Sequence, residues 1–231
     1  MDEPEVTPDQ DANERLTRSH PVFGSTAFLR LWIAQIVSAF GDWIGFLAII
    51  EIARRIGGDQ PGSAIALVMV ARVLPGFFLA SVGGVIVDRV NRKRLLIGCD
   101  ILRALVLLTI PFIERVWALV LASLLLELAT SLWGPAKEAI VPNLVPKEQL
   151  TAANSLSLVA AYGTFPLAAG AFIGLAKLAE WLGGSAIGQV EWALALDALT
   201  FLIAAGLIAT LPIGARRRQE KKSGSIDLAQ G

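Results

Sequence analysis

Long apolar runs alternate with short polar stretches along most of this chain. A helix needs about 20 mostly apolar residues to cross a membrane, and the pattern predicts six segments of this kind. They lie at 28–53, 63–87, 95–113, 116–134, 153–176 and 190–212. We therefore expect an all-α integral membrane protein, a bundle of six transmembrane helices that we number as spans 1 to 6.

Two polar segments flank this predicted transmembrane domain, residues 28–212. Residues 1–27 are rich in acidic side chains, and their composition predicts a solvated, disordered tail. Residues 213–231 are basic and predict a second tail or the start of a longer loop. The domain organisation expected from the sequence is thus one membrane domain between two polar segments.

Positive charges are unevenly distributed, although the formal net charge of the chain is zero. The connection between spans 2 and 3 and the segment after span 6 contain dense Lys and Arg clusters. The connections on the opposite side contain few such residues: Arg54, Arg55, Arg115 and Lys177. Cytoplasmic loops carry an excess of Lys and Arg, so we expect both termini to be cytoplasmic, as an even number of spans allows.

Several classes of function are disfavoured by what the sequence lacks. The chain's one histidine, His20, lies in the polar tail, and its one cysteine, Cys99, lies within span 3. No phosphate-binding loop or metal-ligand spacing is present, so we expect no enzyme activity, no metal and no cofactor. Nucleic-acid binding is also disfavoured, because the basic residues occupy short loops rather than one continuous face.

Polar side chains inside the spans are candidates for function, because ionisable groups are costly in a membrane. Two stripes at helical spacing stand out, one on span 1 and one on span 4. They consist of Gln35, Ser38 and Asp42, and of Ser123, Glu127 and Thr130. Carboxylates in a cavity of low dielectric constant can exchange protons near neutral pH, so we expect these residues to form a substrate and proton cavity.

Further charged residues lie in the spans. Asp100 and Arg103 are three residues apart on span 3, which predicts an ion pair within one helix and a structural role. Arg72 on span 2 and Asp197 on span 6 have no oppositely charged residue within one turn. We expect Arg72 to reach an acid on another helix or a cavity.

The run Gly84–Arg94 resembles the loop between helices 2 and 3 of major facilitator superfamily transporters, Gly-x-Leu-Ala-Asp-Arg-x-Gly-Arg-Lys/Arg. Here Ile86 and Val87 stand for the Leu and Ala, and Asn91 stands for the second Gly. Asn tolerates left-handed backbone geometry better than most residues, so we expect the turn to survive this change. The stretch 134–150 is similar to the connection between helices 4 and 5 in the drug and siderophore exporter branch.

This resemblance covers roughly residues 28–212 and implies one half of the twelve-helix fold. A second six-helix half would come from the same longer chain or from another chain. The implied function is proton-coupled export of an amphipathic small molecule by alternating access, in a bacterial cytoplasmic (inner) membrane and in contact with its lipid. Helices 1 and 4 would line the cavity. Substrate sites in such folds lie between the halves, near the bilayer midplane.

The resemblance also implies a conformational latch in the basic run, formed by Gly84, Asp88, Arg89, Arg92 and Lys93. In the family the matching aspartate contacts a helix N-terminus of the other half, where the helix dipole favours a carboxylate. An alternative reading of the whole chain is a membrane anchor or regulatory module, without transport activity, within a larger fused or multi-chain protein.

Overall fold

The structure is a computed structural model that describes residues 23–182 and 186–212, except for the side chains at 80–83, 85, 186 and 187. The predicted segment 213–231 and most of the predicted acidic tail lie outside the described residues. Within the described ranges the chain is helical and contains no strand. The described residues form seven α-helices: α1 Thr26–Ile56, α2 Pro61–Arg89, α3 Arg92–Thr109, α4 Val116–Glu138, α5 Leu150–Tyr162, α6 Phe165–Trp181 and α7 Ala186–Ala209.

Six helical stretches of the described chain are long and apolar enough to cross a membrane, which confirms the predicted six-span, all-α fold. Spans 1 to 4 correspond to α1 to α4, span 5 to α5 and α6 together, and span 6 to α7. Large apolar side chains such as Val73, Phe77 and Phe78 on α2 are exposed. Such a surface would be anomalous in water and is expected in lipid or against another membrane domain.

The helices pack around α1 and α7. The most extensive contacts join α1 to α7, α2 to α4 and α3 to α7, while α5 and α6 lie along the side of α1. Ser25 caps the start of α1 by accepting a hydrogen bond from the Phe28 amide at 3.1 Å. A capping hydroxyl satisfies one of the amides that a helix leaves free at its N-terminus.

The buried apolar side chains form two clusters separated along the helix axes. One includes Ile44, Leu107 and Phe201 and surrounds the C-terminal half of α1. The other includes Leu31 and Trp133 and surrounds its N-terminal half. Between or at the edges of these clusters lies a set of residues that we call the polar layer: Gln35, Ser38, Asp42, Arg72, Asp100, Arg103, Glu127 and Thr130. Charged side chains of α1 to α4 therefore lie inside the bundle as well as on its surface.

Span 5 is two helices rather than the single kinked helix that Pro166 predicts. The break falls at Gly163 and Thr164, and Pro166 occupies the first turn of α6. Proline lacks an amide hydrogen and is tolerated in the first turn of a helix, so the chain breaks just before it. The indole of Trp43 on α1 donates to the Ala161 carbonyl at 2.9 Å, immediately before this break.

The end of span 4 also differs from expectation. Span 4 is predicted to end at residue 134, before a cluster of prolines at 135, 142 and 146, but α4 continues through Pro135 to Glu138. Pro142 lies in a short 3-10 turn, Val141–Asn143, and Pro146 precedes another, Lys147–Gln149. The break therefore comes one turn later than predicted, because a membrane helix tolerates an internal proline when nearby groups satisfy the freed carbonyls.

Candidate functional site

Arg72 lies at the centre of the polar layer and contacts acids from two other helices. Its Nη2 donates to Oδ1 of Asp42 on α1 at 3.1 Å, and its Nε lies 4.0 Å from Oε2 of Glu127 on α4. The guanidinium also lies over the Phe46 ring, 5.2 Å from the ring centroid. Arg72 therefore bridges α1 and α4, the two helices that contain the polar stripes. Asp42 and Glu127 are the acids on other helices that the sequence could not name for it.

The three side chains of this cluster differ in access to solvent. Arg72 is 13% exposed, Glu127 is 18% exposed and Asp42 is 32% exposed. A guanidinium presents several donors in a planar fork and can contact two carboxylates at once. One positive charge nevertheless neutralises only one of the two acids, and the shorter distance assigns it to Asp42. Glu127 is therefore the less firmly paired acid.

A second charged pair occupies the layer beside α7. Asp100 and Arg103 on α3 form the predicted ion pair, and both side chains are buried. The Arg103 guanidinium lies 4.1 Å from the centroid of Phe201, and its Nη1 lies 3.5 Å from Thr130 Oγ1. Because aromatic, hydroxyl and carboxylate groups surround it, this arginine ties α3 to α4 and α7.

The remaining members of the two polar stripes do not join the Arg72 cluster. Gln35 donates to the Ser157 carbonyl on α5 at 2.9 Å, and Lys137 Nζ lies 3.5 Å from the Gln35 Oε1. Ser38 donates to the Gln35 carbonyl on its own helix. Ser123 is fully buried, and its hydroxyl has no hydrogen-bond partner among the described residues. The structure thus brings Asp42 and Glu127 together around Arg72 and leaves the other stripe residues outside this cluster.

The sequence pattern did not predict that Lys137 is buried. Lys137 follows residue 134, where span 4 is predicted to end, but it lies in the last turn of α4 and is 8% exposed. The signal that could have revealed it is the four-residue spacing from Trp133, which places both side chains on the buried face of α4.

The basic run is largely helical, with Val90 and Asn91 as its short connection. Asp88 and Arg92 form an ion pair at 2.9 Å across this connection, and Arg92 also donates to the Ala139 carbonyl at the end of α4. Lys93 donates to the Leu211 carbonyl after α7 at 2.6 Å. Gly84 and Arg89 are exposed. The run therefore gathers the ends of α2, α3, α4 and α7.

Asn91 does not adopt the left-handed geometry expected from the glycine that it replaces. Its φ is −72° and its ψ is 107°, and its side-chain oxygen accepts from the Arg94 amide at 3.1 Å. Asn91 is the N-cap of α3, a position that favours Asn for the hydrogen bond it supplies.

Replacing Asn91 with alanine is expected to reduce the free energy of unfolding by about 1 kcal/mol, because the amides at the start of α3 lose their cap. Asn91→Asp is the matched control, since aspartate caps equally well. Thermal unfolding of the purified variants in detergent would measure both. Equal midpoints for the alanine and aspartate variants would contradict the capping role.

A family model described as transmembrane secretion effector matches residues 18–222. The chain belongs to this major facilitator family. Its relatives include the MFS-type transporter YfiS of Bacillus subtilis, 28% identical over 140 residues, which are 60% of this chain and 33% of the relative. Another is the macrolide efflux protein A of Streptococcus pyogenes, 34% identical over 131 residues, which are 54% of this chain and 31% of the relative.

The longest of these matches is to YkuC of Bacillus subtilis, also named as an MFS-type transporter. It is 28% identical over 203 residues, which are 86% of this chain and 44% of the relative. The chain therefore spans less than half the length of the three relatives named here. Membership of this transporter family and six apolar helices make the chain a multi-pass protein of the bacterial cell membrane.

Proposed function

We propose that this chain forms one half of a proton-coupled exporter that works by alternating access. The observation that carries the proposal is the single arginine, Arg72, held between two acids on the helices that the family resemblance assigns to the cavity. The likeness to a macrolide efflux protein supports an amphipathic small molecule as the substrate. Ionisable groups inside membrane helices typically mark ion or substrate pathways.

In this proposal Glu127 carries the transported proton and Asp42 is the main counter-ion of Arg72. Protonation of Glu127 removes its attraction for the guanidinium, which then stays with Asp42 at the shorter distance. Release of the proton restores a second carboxylate beside the same cation and strengthens the link between α2 and α4. The protonation state of Glu127 would thus change the contact between α2 and α4, which alternating access can use.

A second six-helix half is part of the proposal, from the same longer chain or from another chain. Asp88 supports it, because its side chain is 69% exposed although it pairs with Arg92. An exposed acid at the end of α2 is available to a helix N-terminus of the second half. Immunoblotting of native membranes would test this arrangement, since a mass about twice that of this chain indicates both halves in one polypeptide.

The variant Glu127→Gln is expected to abolish export that is driven by a pH gradient, because glutamine cannot release a proton. The measurement is uptake of a labelled macrolide into inverted membrane vesicles carrying the complete transporter, with and without an imposed gradient. Glu51→Gln is the control, since Glu51 pairs with Arg54 at an exposed position near the end of α1. Gradient-driven uptake at the wild-type rate in Glu127→Gln would refute the role of Glu127.

A further inference from the structure

Asp197 occupies a slot between α7 and α1. Its side chain is 1% exposed, and it faces two glycines of α1 that are one turn apart. A Cβ atom placed on Gly41 would lie 2.6 Å from Asp197 Oδ1, and one on Gly45 would lie 2.9 Å from Asp197 Cγ. Cβ atoms do not approach non-bonded atoms this closely, so the slot exists only because both α1 positions are glycine.

The polar groups of Asp197 are incompletely satisfied in this slot. Its Oδ1 is buried and has no hydrogen-bond partner among the described residues. The neighbouring Thr200 hydroxyl donates to the main-chain carbonyl of Asp197 at 2.7 Å. No lysine or arginine of the described chain forms an ion pair with Asp197. An ionised carboxylate is strongly disfavoured in such a place, whereas a neutral carboxylic acid fits it.

The charged groups around Asp197 also favour a neutral carboxylic acid at this position. The charged groups of the neighbouring helices that interact with Asp197 are Asp42 on α1, Arg72 on α2 and Arg103 on α3, and the two arginines in turn contact Glu127 and Asp100. Arg72 contacts Asp42, and Arg103 contacts Asp100. Both arginines are therefore already neutralised, and the charges of the polar layer together with Asp197 balance when Glu127 and Asp197 each carry a proton.

We infer that Asp197 is a second proton-binding site of this protein, closed by the contact between α1 and α7. This inference rests on the proposed proton-coupled function and extends it to a residue outside the Arg72 cluster. While α1 and α7 are packed together, Asp197 keeps its proton. When they separate and water enters the slot, the proton passes from the carboxyl group to water and leaves a hydrated carboxylate.

Infrared difference spectroscopy of the purified protein in lipid nanodiscs tests this site directly. The C=O stretching band of protonated carboxylic acids is expected at neutral pH from Asp197 and from protonated Glu127, and Asp197→Asn is expected to remove the Asp197 part of it. Glu127→Gln is the matched control and is expected to retain the Asp197 band, because the two acids lie on different helices. A spectrum of Asp197→Asn that still contains the whole band would overturn the inference.

A second measurement tests the inference even if the Asp197→Asn variant does not fold. In the Glu127→Gln protein the remaining band is assigned to Asp197, so absence of any protonated-carboxyl band there overturns the inference without the Asp197 variant. The vesicle assay separates the two proposals: if uptake ignores the pH gradient while the Asp197 band is present, the proton-coupled function is wrong. Asp197 would then remain a bound-proton site that does not drive transport.

Discussion

Arg72→Leu is expected to lower export strongly, because it removes the cation that Asp42 and Glu127 share. Removing one partner of a buried ion pair also destabilises the protein, by about 3–5 kcal/mol. Asp42 is 32% exposed, so water compensates part of this loss and the smaller end of the range applies. The variant leaves Asp42 and Glu127 close together without a cation, and a proton is then retained between them because two like charges disfavour ionisation.

Two further variants separate folding from transport at Arg72. Arg72→Lys keeps the charge but contacts two carboxylates poorly from one ammonium group, so we expect export between that of wild type and Arg72→Leu. Combining Arg72→Leu with Asp42→Asn removes both members of the closer pair, which should restore expression without restoring export. Vesicle uptake and the yield of detergent-soluble protein measure the two effects. Wild-type export by Arg72→Leu would rule out a central role for this arginine.

Asp100→Asn is expected to destabilise the bundle by about 3–5 kcal/mol, because Arg103 stays buried without its counter-ion. Arg103 is 4% exposed and lies against Phe201, so it cannot move to water without displacing the packing of α3 on α7. The free energy of unfolding would be measured by denaturant titration in detergent micelles.

The double variant Asp100→Leu with Arg103→Met provides the control for this pair. Replacing both ions with apolar side chains of similar volume is often neutral or stabilising, so we expect stability near that of wild type. The expected pattern is a strong loss in the single variant and recovery in the double variant. If the single variant is as stable as wild type, the pair does not support the fold.

Much of the architecture could be predicted from the sequence, because a membrane imposes a simple rule on it. Every backbone polar group must be satisfied within the bilayer, so six long apolar runs had to be helices. The residues at which the helices begin and end were harder to predict. Pro135 predicted the end of a helix and Pro166 predicted a kink, yet α4 continues through the first and span 5 breaks before the second. The result depends on which neighbouring groups accept or supply hydrogen bonds, as Trp43 does beside Ala161.

The candidate site was predicted only in part. Helical spacing identified Asp42, Glu127 and the Asp100–Arg103 pair, because spacing reports which side chains share a face of one helix. It also grouped Gln35 with Asp42, although Gln35 contacts α5 and Asp42 contacts α2. Their roles in transport remain predictions that the variants above test.

By itself, the sequence determined the six spans, the major facilitator resemblance and the presence of charges within the membrane. Only the tertiary structure decided how those charges are paired. Arg72 lies 30 residues from Asp42 along the chain, and Asp197 meets α1 only because Gly41 and Gly45 open a slot for it. Contacts between helices depend on crossing geometry and on the small residues that permit close approach. The periodicity of a single helix reports which side chains share one face, and it does not report which neighbouring helix that face contacts.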